Sequence, residues 1–318
     1  MTKHKLKAFS LIELSIVILV IGILIAGIME GRNLLYKAKL LTARALSQSS
    51  DVASIKNLVV WVDATQENSV INISDSKIVS DGDNIKSWTD RNPQFRVPLV
   101  FSTSTANTYP IYRDSAINGL PALQFNGSNG AGSGYYLSTP SKSRIAKPDN
   151  FSIFAVFTPL SGYAPSERIG ILAKQSTKTV PNEPYGINFD GVNQTINSVV
   201  MGGSPTNATS INLHHPISNI ITDNVASIAG VTHDTQNSTS GFKLYKNGTN
   251  FASRNPSKSI IDAGTALNIG SGRSTIETTR FCKCYISEII MYDRALNKEE
   301  INLVTKYLGQ KWGIAVAS

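Results

Sequence analysis

Cysteine is scarce in this sequence. Two thiols in 318 residues exclude a disulfide framework and any cysteine-rich zinc module. Charge is sparse as well. Only 16% of the residues are charged against 41% that are hydrophobic, which excludes wholesale disorder, a state of low hydrophobicity and high net charge. Long apolar runs are missing except for one near the start, so a multi-spanning transporter is excluded. No strand–helix–strand rhythm and no internal repeat is visible. What is left is a chain long enough for one large domain or two small ones.

The net charge of +8 is unevenly spread. Lys3, Lys5 and Lys7 precede the apolar run with no acid among them, and Arg32, Lys37, Lys39, Arg44 and Lys56 face only Glu30 and Asp51 after it. The other 262 residues, 57–318, hold 22 basic and 19 acidic side chains. A basic excess lying beside an apolar helix points to membrane orientation and not to nucleic acid.

The apolar run Phe9–Ile28 is 20 residues long. As a helix it spans roughly 30 Å, the thickness of a bilayer core. The lysines before it place the N-terminus on the cytoplasmic side. The run passes into a polar helical pattern without an A-x-A-like site, unlike a cleaved secretory signal. Glu13 breaks the run. A carboxylate in hydrocarbon is costly and marks function; the alternative is a side chain that snorkels to the interface. Leu34, Ala38, Leu41 and Ala45 then recur at helical spacing. Gly22, Gly27 and Gly31 mark either close packing or local softening, and Ser47–Asp51 read as a joint.

Lys7-Ala8-Phe9-Ser10-Leu11-Ile12-Glu13-Leu14 resembles the class III signal of type IV pilins and pseudopilins: a basic leader, a small residue, Phe, Ser or Thr, Leu, Ile and Glu. The resemblance implies a cut between Ala8 and Phe9 by the prepilin peptidase. It makes Phe9 the N-methylated first residue and Glu13 the family's fifth-position glutamate. The family prefers Gly before the cut, so Ala8 is a departure that implies slower processing. Other pilin or pseudopilin subunits and the inner-membrane assembly machinery are the implied partners. The implied location is a single-pass precursor in a bacterial inner membrane, then a pilus or pseudopilus in the periplasm or on the cell surface. The physics agrees: a buried carboxylate needs a partner charge, and cleavage frees an α-amine on Phe9 that a neighbouring subunit can bring to Glu13.

From about Asn57 the texture changes to short apolar runs between Gly, Asn, Asp, Ser and Pro clusters, the pattern of an all-β domain. Leu58–Val62, Phe151–Phe157, Ala226–Thr232, Phe242–Lys246 and Phe281–Tyr292 read as strands, with Phe151–Phe157 central because it is apolar on both faces. Asn247-Gly248 reads as a hairpin turn with positive φ at both positions. A closing helix carries Ile301, Val304, Leu308 and Trp312 on one face, capping-box spacing at Asn297 and Glu300, and Gly313 as a stop. Two antiparallel sheets face to face fit best.

Val60-Trp61-Val62-Asp63-Ala64, Ile85–Asp90, Leu120–Ser128, Phe242–Gly248, Ile286–Leu296 and Tyr307–Ile314, in that order, resemble the concanavalin A-like or laminin-G-like jelly rolls. The resemblance implies carbohydrate or protein binding, sometimes through calcium; fold alone establishes neither.

Candidate chemistry is thin. A glycosidase needs two carboxylates flanking the scissile bond, whereas Glu288 and Asp293, five apart, face opposite sides of a strand. The expectation is therefore a protein that is not an enzyme. His214, His215 and His233 read as surface or loop side chains with no third metal ligand. Asp81 and Asp83 in Asp81-Gly82-Asp83-Asn84 can offer oxygens to calcium, or form a plain turn. Cys282 and Cys284 read as two reduced, partly buried thiols, because an i, i+2 bridge is strained. Trp61, Trp88 and Trp312 are assigned to the core. Tyr109, Tyr112, Tyr135, Tyr136, Tyr163 and Tyr185, in or near polar loops, are candidates for sugar stacking.

The expected architecture is a long N-terminal α-helix followed by an all-β jelly-roll sandwich with a C-terminal helix. Its divisions are a leader at 1–8, a pilin-like helix at 9–56 (9–29 transmembrane) and a sandwich at 57–318. The expected role is a subunit, minor or tip, of a type IV pilus or related pseudopilus, with a lectin-like head for adhesion to a glycan or surface protein. The alternatives are a type II secretion pseudopilin with a purely structural head and a carbohydrate-active enzyme anchored by a pilin-like helix.

Overall fold

A computed structural model describes residues 11–103, 108–127, 134–146, 149–161, 169–174, 185–191, 193–204, 207–213, 219–256, 264–271 and 280–317. The chain divides into two compact units, Met1–Thr42 and Ala43–Ser318.

The first unit is helical. Helix α1 runs Leu11–Ser49 without interruption, its last turns belonging to the second unit. It is long and apolar enough to cross a membrane, and Leu11, Ile12, Leu19, Ile23 and Ile28 are each more than 60% exposed. A side chain of that size gains about 1.5–3 kcal/mol on burial, so this surface is built for lipid or for other helices. Gly22, Gly27 and Gly31 sit in the unbroken helix with nothing within 4 Å of where a Cβ would stand.

In the second unit the described residues form β1 (Leu58–Asp63), β2 (Val70–Asn72), β3 (Ile85–Thr89), β4 (Val100–Ser102), β5 (Ile111–Ile117) and β6 (Leu120–Asn126). Next come β7 (Leu137–Thr139), the short helix α2 (Ser143–Ala146), β8 (Phe151–Pro159), β9 (Ile169–Lys174), β10 (Tyr185–Asp190), β11 (Thr195–Ser204) and β12 (Asn207–Leu213). The chain closes with β13 (Ser227–His233), β14 (Phe242–Lys246), β15 (Thr249–Arg254), β16 (Leu267–Ile269), β17 (Lys283–Tyr292) and helix α3 (Lys298–Trp312).

Sheet A has the order β15-β14-β13-β8-β17-β6-β5, with β1 also paired to β17. Strand β17 is shared end to end: Lys283–Ile286 pair with β6, and Glu288–Tyr292 lie against β1. Sheet B has the order β12-β11-β10-β9-β16-β7-β4-β3-β2. Strand β8 lies between β13 and β17 and is buried along its whole length, as a strand apolar on both faces requires. Asn247 (φ 49°) and Gly248 (φ 84°) make the β14–β15 turn.

The unit has three layers. Between the sheets lies a core that includes Trp88, Phe101, Leu137, Ile187 and Ile269 from sheet B and Val62, Ile153, Phe157, Leu244 and Met291 from sheet A. On the other side of sheet A, Trp61, Phe154, Ile290 and Tyr292 meet Ile301, Val304, Leu308 and Trp312 of α3. Asn297 and Glu300 complete the capping box, and Gly313 ends α3 in the left-handed region at φ 63°, where a side chain is strained.

The cysteines correct the expectation of two free thiols: Cys282 and Cys284 are joined in a disulfide. Their Cα atoms are 5.4 Å apart, less than the roughly 6.6 Å of an extended two-residue step and well inside the bridging range. Cys282 precedes β17, next to the Ser271–Phe281 bridge, so a regular strand does not hold the two thiols apart.

Candidate functional site

Ala8 and Phe9 lie outside the described residues. Glu13 is in the first turn of α1, on the same helix surface as the exposed apolar side chains.

The outer face of sheet B carries a second set of groups. Ser87, Ser102, Ser138 and Asn268 are register partners across β3, β4, β7 and β16, and Ala173 on β9 and Gly186 on β10 continue the row. Register partners share a face, so Asn188, two residues beyond Gly186, belongs to it too. The alternate residues Leu267, Ile269, Tyr185 and Ile187 point into the core. Asn188 and Asn268 are both 0% exposed, and among the described residues neither the carbonyl nor the amide group of either side chain has a hydrogen-bond partner. Thr195 Oγ1 likewise has none among them. Each such group costs about 1–3 kcal/mol of desolvation. Native proteins carry few of them, and each calls for a cause such as an enclosed water.

The outer face of sheet A shows the opposite condition. Asp63 of β1 and Glu288 of β17 are register partners beneath α3. Lys311 Nζ stands 2.7 Å from Asp63 Oδ2 and 2.7 Å from Glu288 Oε2, and all three side chains are fully buried. Glu288 Oε1 accepts from Trp61 Nε1 (2.7 Å) and Tyr307 Oη (2.6 Å), and Oε2 also accepts from Trp312 Nε1 (2.8 Å). Asp63 Oδ1 accepts from Thr65 N and Oγ1, and Oδ2 from Gln66 Nε2 and Ser47 Oγ. Arg91 adds a second cation, 3.4 Å from Asp63 Oδ2 and stacked on the Trp61 ring. Ser47, from the last turns of α1, also meets Tyr307 Oη at 2.9 Å and Lys311 Nζ at 2.9 Å.

Burial alone would raise the Asp63 carboxyl, but Lys311 and the hydrogen bonds bring it below the usual carboxylate range. For Glu288 burial wins and the carboxyl is raised despite Lys311, with Asp63 adding to the rise. Burial, then the neighbouring carboxylates, also raise the Tyr307 hydroxyl. A saturated, closed cluster of this kind locks elements together and leaves Glu288 out of reach of a substrate.

The family described as the concanavalin A-like lectin/glucanases superfamily matches residues 129–302, more than half of the chain. The chain belongs to this superfamily. A prokaryotic N-terminal methylation motif matches residues 3–29, so the precursor is pilin-type and membrane-anchored through its apolar helix. No match was found among curated proteins. Among solved structures, the binding domain of Paraclostridial Mosquitocidal Protein 1 is similar at 12% identity and TM-score 0.53, over 82% of this chain and 56% of that one. The Botulinum Neurotoxin Type G receptor binding domain is similar at 15% identity and TM-score 0.50, over 81% and 54%. A Trypanosoma rangeli sialidase in complex with sialic acid is more distant, at 16% identity and TM-score 0.48 over 80% and 33%. The chain thus spans about a third to just over half of these structures, and at such identities the likeness is one of fold.

Other sequence candidates within this superfamily fold find structural employment. Asp81 bonds Asp114 N and pairs with Arg113, while Asp83 accepts from Ser80 N and Asn72 Nδ2. Among the described residues no group of three or more His, Cys, Asp or Glu side chains is placed to hold a metal ion. His233 is not a surface residue: β13 is an interior strand, and its ring is fully buried, stacked on Phe151 and edge-on to Phe242, with Nδ1 2.8 Å from the Asp149 carbonyl oxygen. His214 and His215 lie outside the described residues.

The tyrosines divide. Tyr112 and Tyr185 are buried strand residues and no stacking platform, the latter donating its hydroxyl to the Ile145 carbonyl at 2.6 Å. Tyr109, Tyr135 and Tyr136 are half-buried, and Tyr163 lies outside the described residues. Trp61, Trp88 and Trp312 are all core. Sequence reasoning missed Ser47, Asp63, Lys311, Asn188 and Asn268. The available signal was a polar residue set in an apolar stretch, as in Ile286-Ser287-Glu288-Ile289-Ile290.

Proposed function

We propose that this protein is a minor or tip subunit of a type IV pilus or related pseudopilus whose lectin-like head binds glycan. One observation carries the reading: a prepilin methylation motif at 3–29 stands ahead of a superfamily head at 129–302. The chain divides into a leader at 1–8, a filament helix at 9–56 and a head at 57–318. Prepilin peptidase cuts between Ala8 and Phe9, and the new Phe9 amine is methylated. The Glu13 carboxylate then meets the Phe9 amine of an adjoining subunit, a pairing that offsets its burial only in the filament.

The binding half of the reading rests on the match of residues 129–302 to a superfamily of lectins. This favours a binding head over a purely structural one. It also favours binding over hydrolysis, since Glu288 is fully engaged beneath α3.

Mass spectrometry of the protein recovered from cells tests the processing: a chain beginning at methylated Phe9 is expected, and one retaining the eight-residue leader refutes it. Glu13→Ala is expected to abolish incorporation into filaments while the head keeps its melting temperature. A glycan array probed with the full chain tests the head; no glycan bound above background removes that half of the reading.

A further inference from the structure

A cavity of about 420 Å³ opens on the α3 side of sheet A, between the β13–β14 hairpin and the first turns of α3. It lies across the sandwich from Asn188 and Asn268. Its size is that of a small-molecule site, larger than an inorganic anion needs. Its polar wall is unbalanced. Three of its acceptors are used internally: Asp234 Oδ1 takes Gln236 N, Asn237 Oδ1 takes Ser240 N, and Asn297 Oδ1 caps α3 through Glu300 N. The donors are left over. Lys243, half-buried on β14, and Lys298 form no ion pair among the described residues, and the Asn237 amide N–H groups face no described acceptor. Two lysines stand against one acid, Asp234. The floor is apolar, with Leu296 and Ile301 beside the nearly buried ring of Tyr245. At the N-terminus of α3 the Glu300 N–H already donates to the Asn297 cap.

We propose that this cavity binds an acidic saccharide unit, its carboxylate on Lys243 and its hydroxyls on the amides of Asn237 and Asn302. Surplus donors and cations select an anion. Side-chain amides select hydroxyls, and the apolar floor accepts the C–H face of a sugar ring. The choice of a saccharide rests on the glycan-binding reading of the head; the site itself is separate from the sheet B face.

The probe pair is glucuronic acid and glucose, which differ by one carboxylate, titrated calorimetrically into the detergent-solubilised full chain. Saturable glucuronate binding at least tenfold tighter than glucose is expected, weakened at least tenfold by Lys243→Gln and unchanged by Asn188→Leu. Asn302→Asp, which places a negative charge in the wall, gives a second independent loss should Lys243→Gln melt early. Absence of glucuronate binding, equal binding of glucose, or insensitivity to both wall variants overturns the proposal while leaving the filament role and the glycan-array test of the head standing. Loss of binding in Asn188→Leu alone moves the ligand to the other face and overturns it as well.

Discussion

The two outer faces of the sandwich have been treated in opposite ways. Over sheet A, α3 and the last turns of α1 close on Asp63, Glu288 and Lys311, and the two carboxylates and the ammonium all have partners. Over sheet B, two asparagines are just as deeply buried and have none among the described residues. Low dielectric strengthens a satisfied polar group and penalises an orphan. The first face therefore holds the molecule together, and the second gives up stability at its orphaned amides.

The sharpest way to break this contrast is Lys311→Met, which strands two carboxylates in the interior. Removing one partner of a buried ion pair costs about 3–5 kcal/mol, and urea denaturation of the full chain is expected to register a loss of that size. A variant as stable as the parent would show that water reaches the cluster.

The next effect has the opposite sign. Asn268→Leu and Asn188→Leu replace an unpaired amide by an apolar group of similar shape and are each expected to stabilise by about 1–2 kcal/mol in urea denaturation. A loss of stability instead would show that these amides are satisfied in the folded protein.

Ser47→Ala removes a hydroxyl that touches Asp63, Tyr307 and Lys311. A loss of about 1–2 kcal/mol is expected, read as a lower melting temperature, and no change would mean that α1 is held by apolar packing alone.

The smallest effect is pH-dependent. Burial, then the nearby Asp149, pushes the Asp293 carboxyl up to about 6 from 3.8. A group whose folded value is raised contributes stability below its unfolded value, and that contribution is lost as pH rises through the folded value. Asp293→Asn is therefore expected to stabilise above pH 6 and to be neutral near pH 3.5. Because the side chain is partly open to solvent, the gain is on the order of 1 kcal/mol. Melting temperatures at the two pH values check it, and equal gains at both would remove the titration as the cause.

Much of this was legible in the residues. Phe151–Phe157 announced a central strand, Asn247-Gly248 a hairpin turn, and Asn297 with Glu300 a helix start, because each pattern acts over a few neighbouring residues. The charged cluster was not, since Asp63, Glu288 and Lys311 are brought together from opposite ends of the head. His233 was misplaced because a lone imidazole carries no local mark of a strand buried on both sides. The disulfide was misjudged because the contraction of the backbone at Cys282 is a property of the loop that delivers it.

By itself the order of amino acids determined which helix is long and apolar enough to cross a membrane, which bond its processing enzyme is expected to cut, and which segments become strands and helices. Those depend on length, periodicity and short-range chemistry. Only the tertiary structure decided which buried polar groups are satisfied and which are left waiting. The physical reason is that a hydrogen bond is settled within about 3 Å in space, and no spacing along the chain reports that distance.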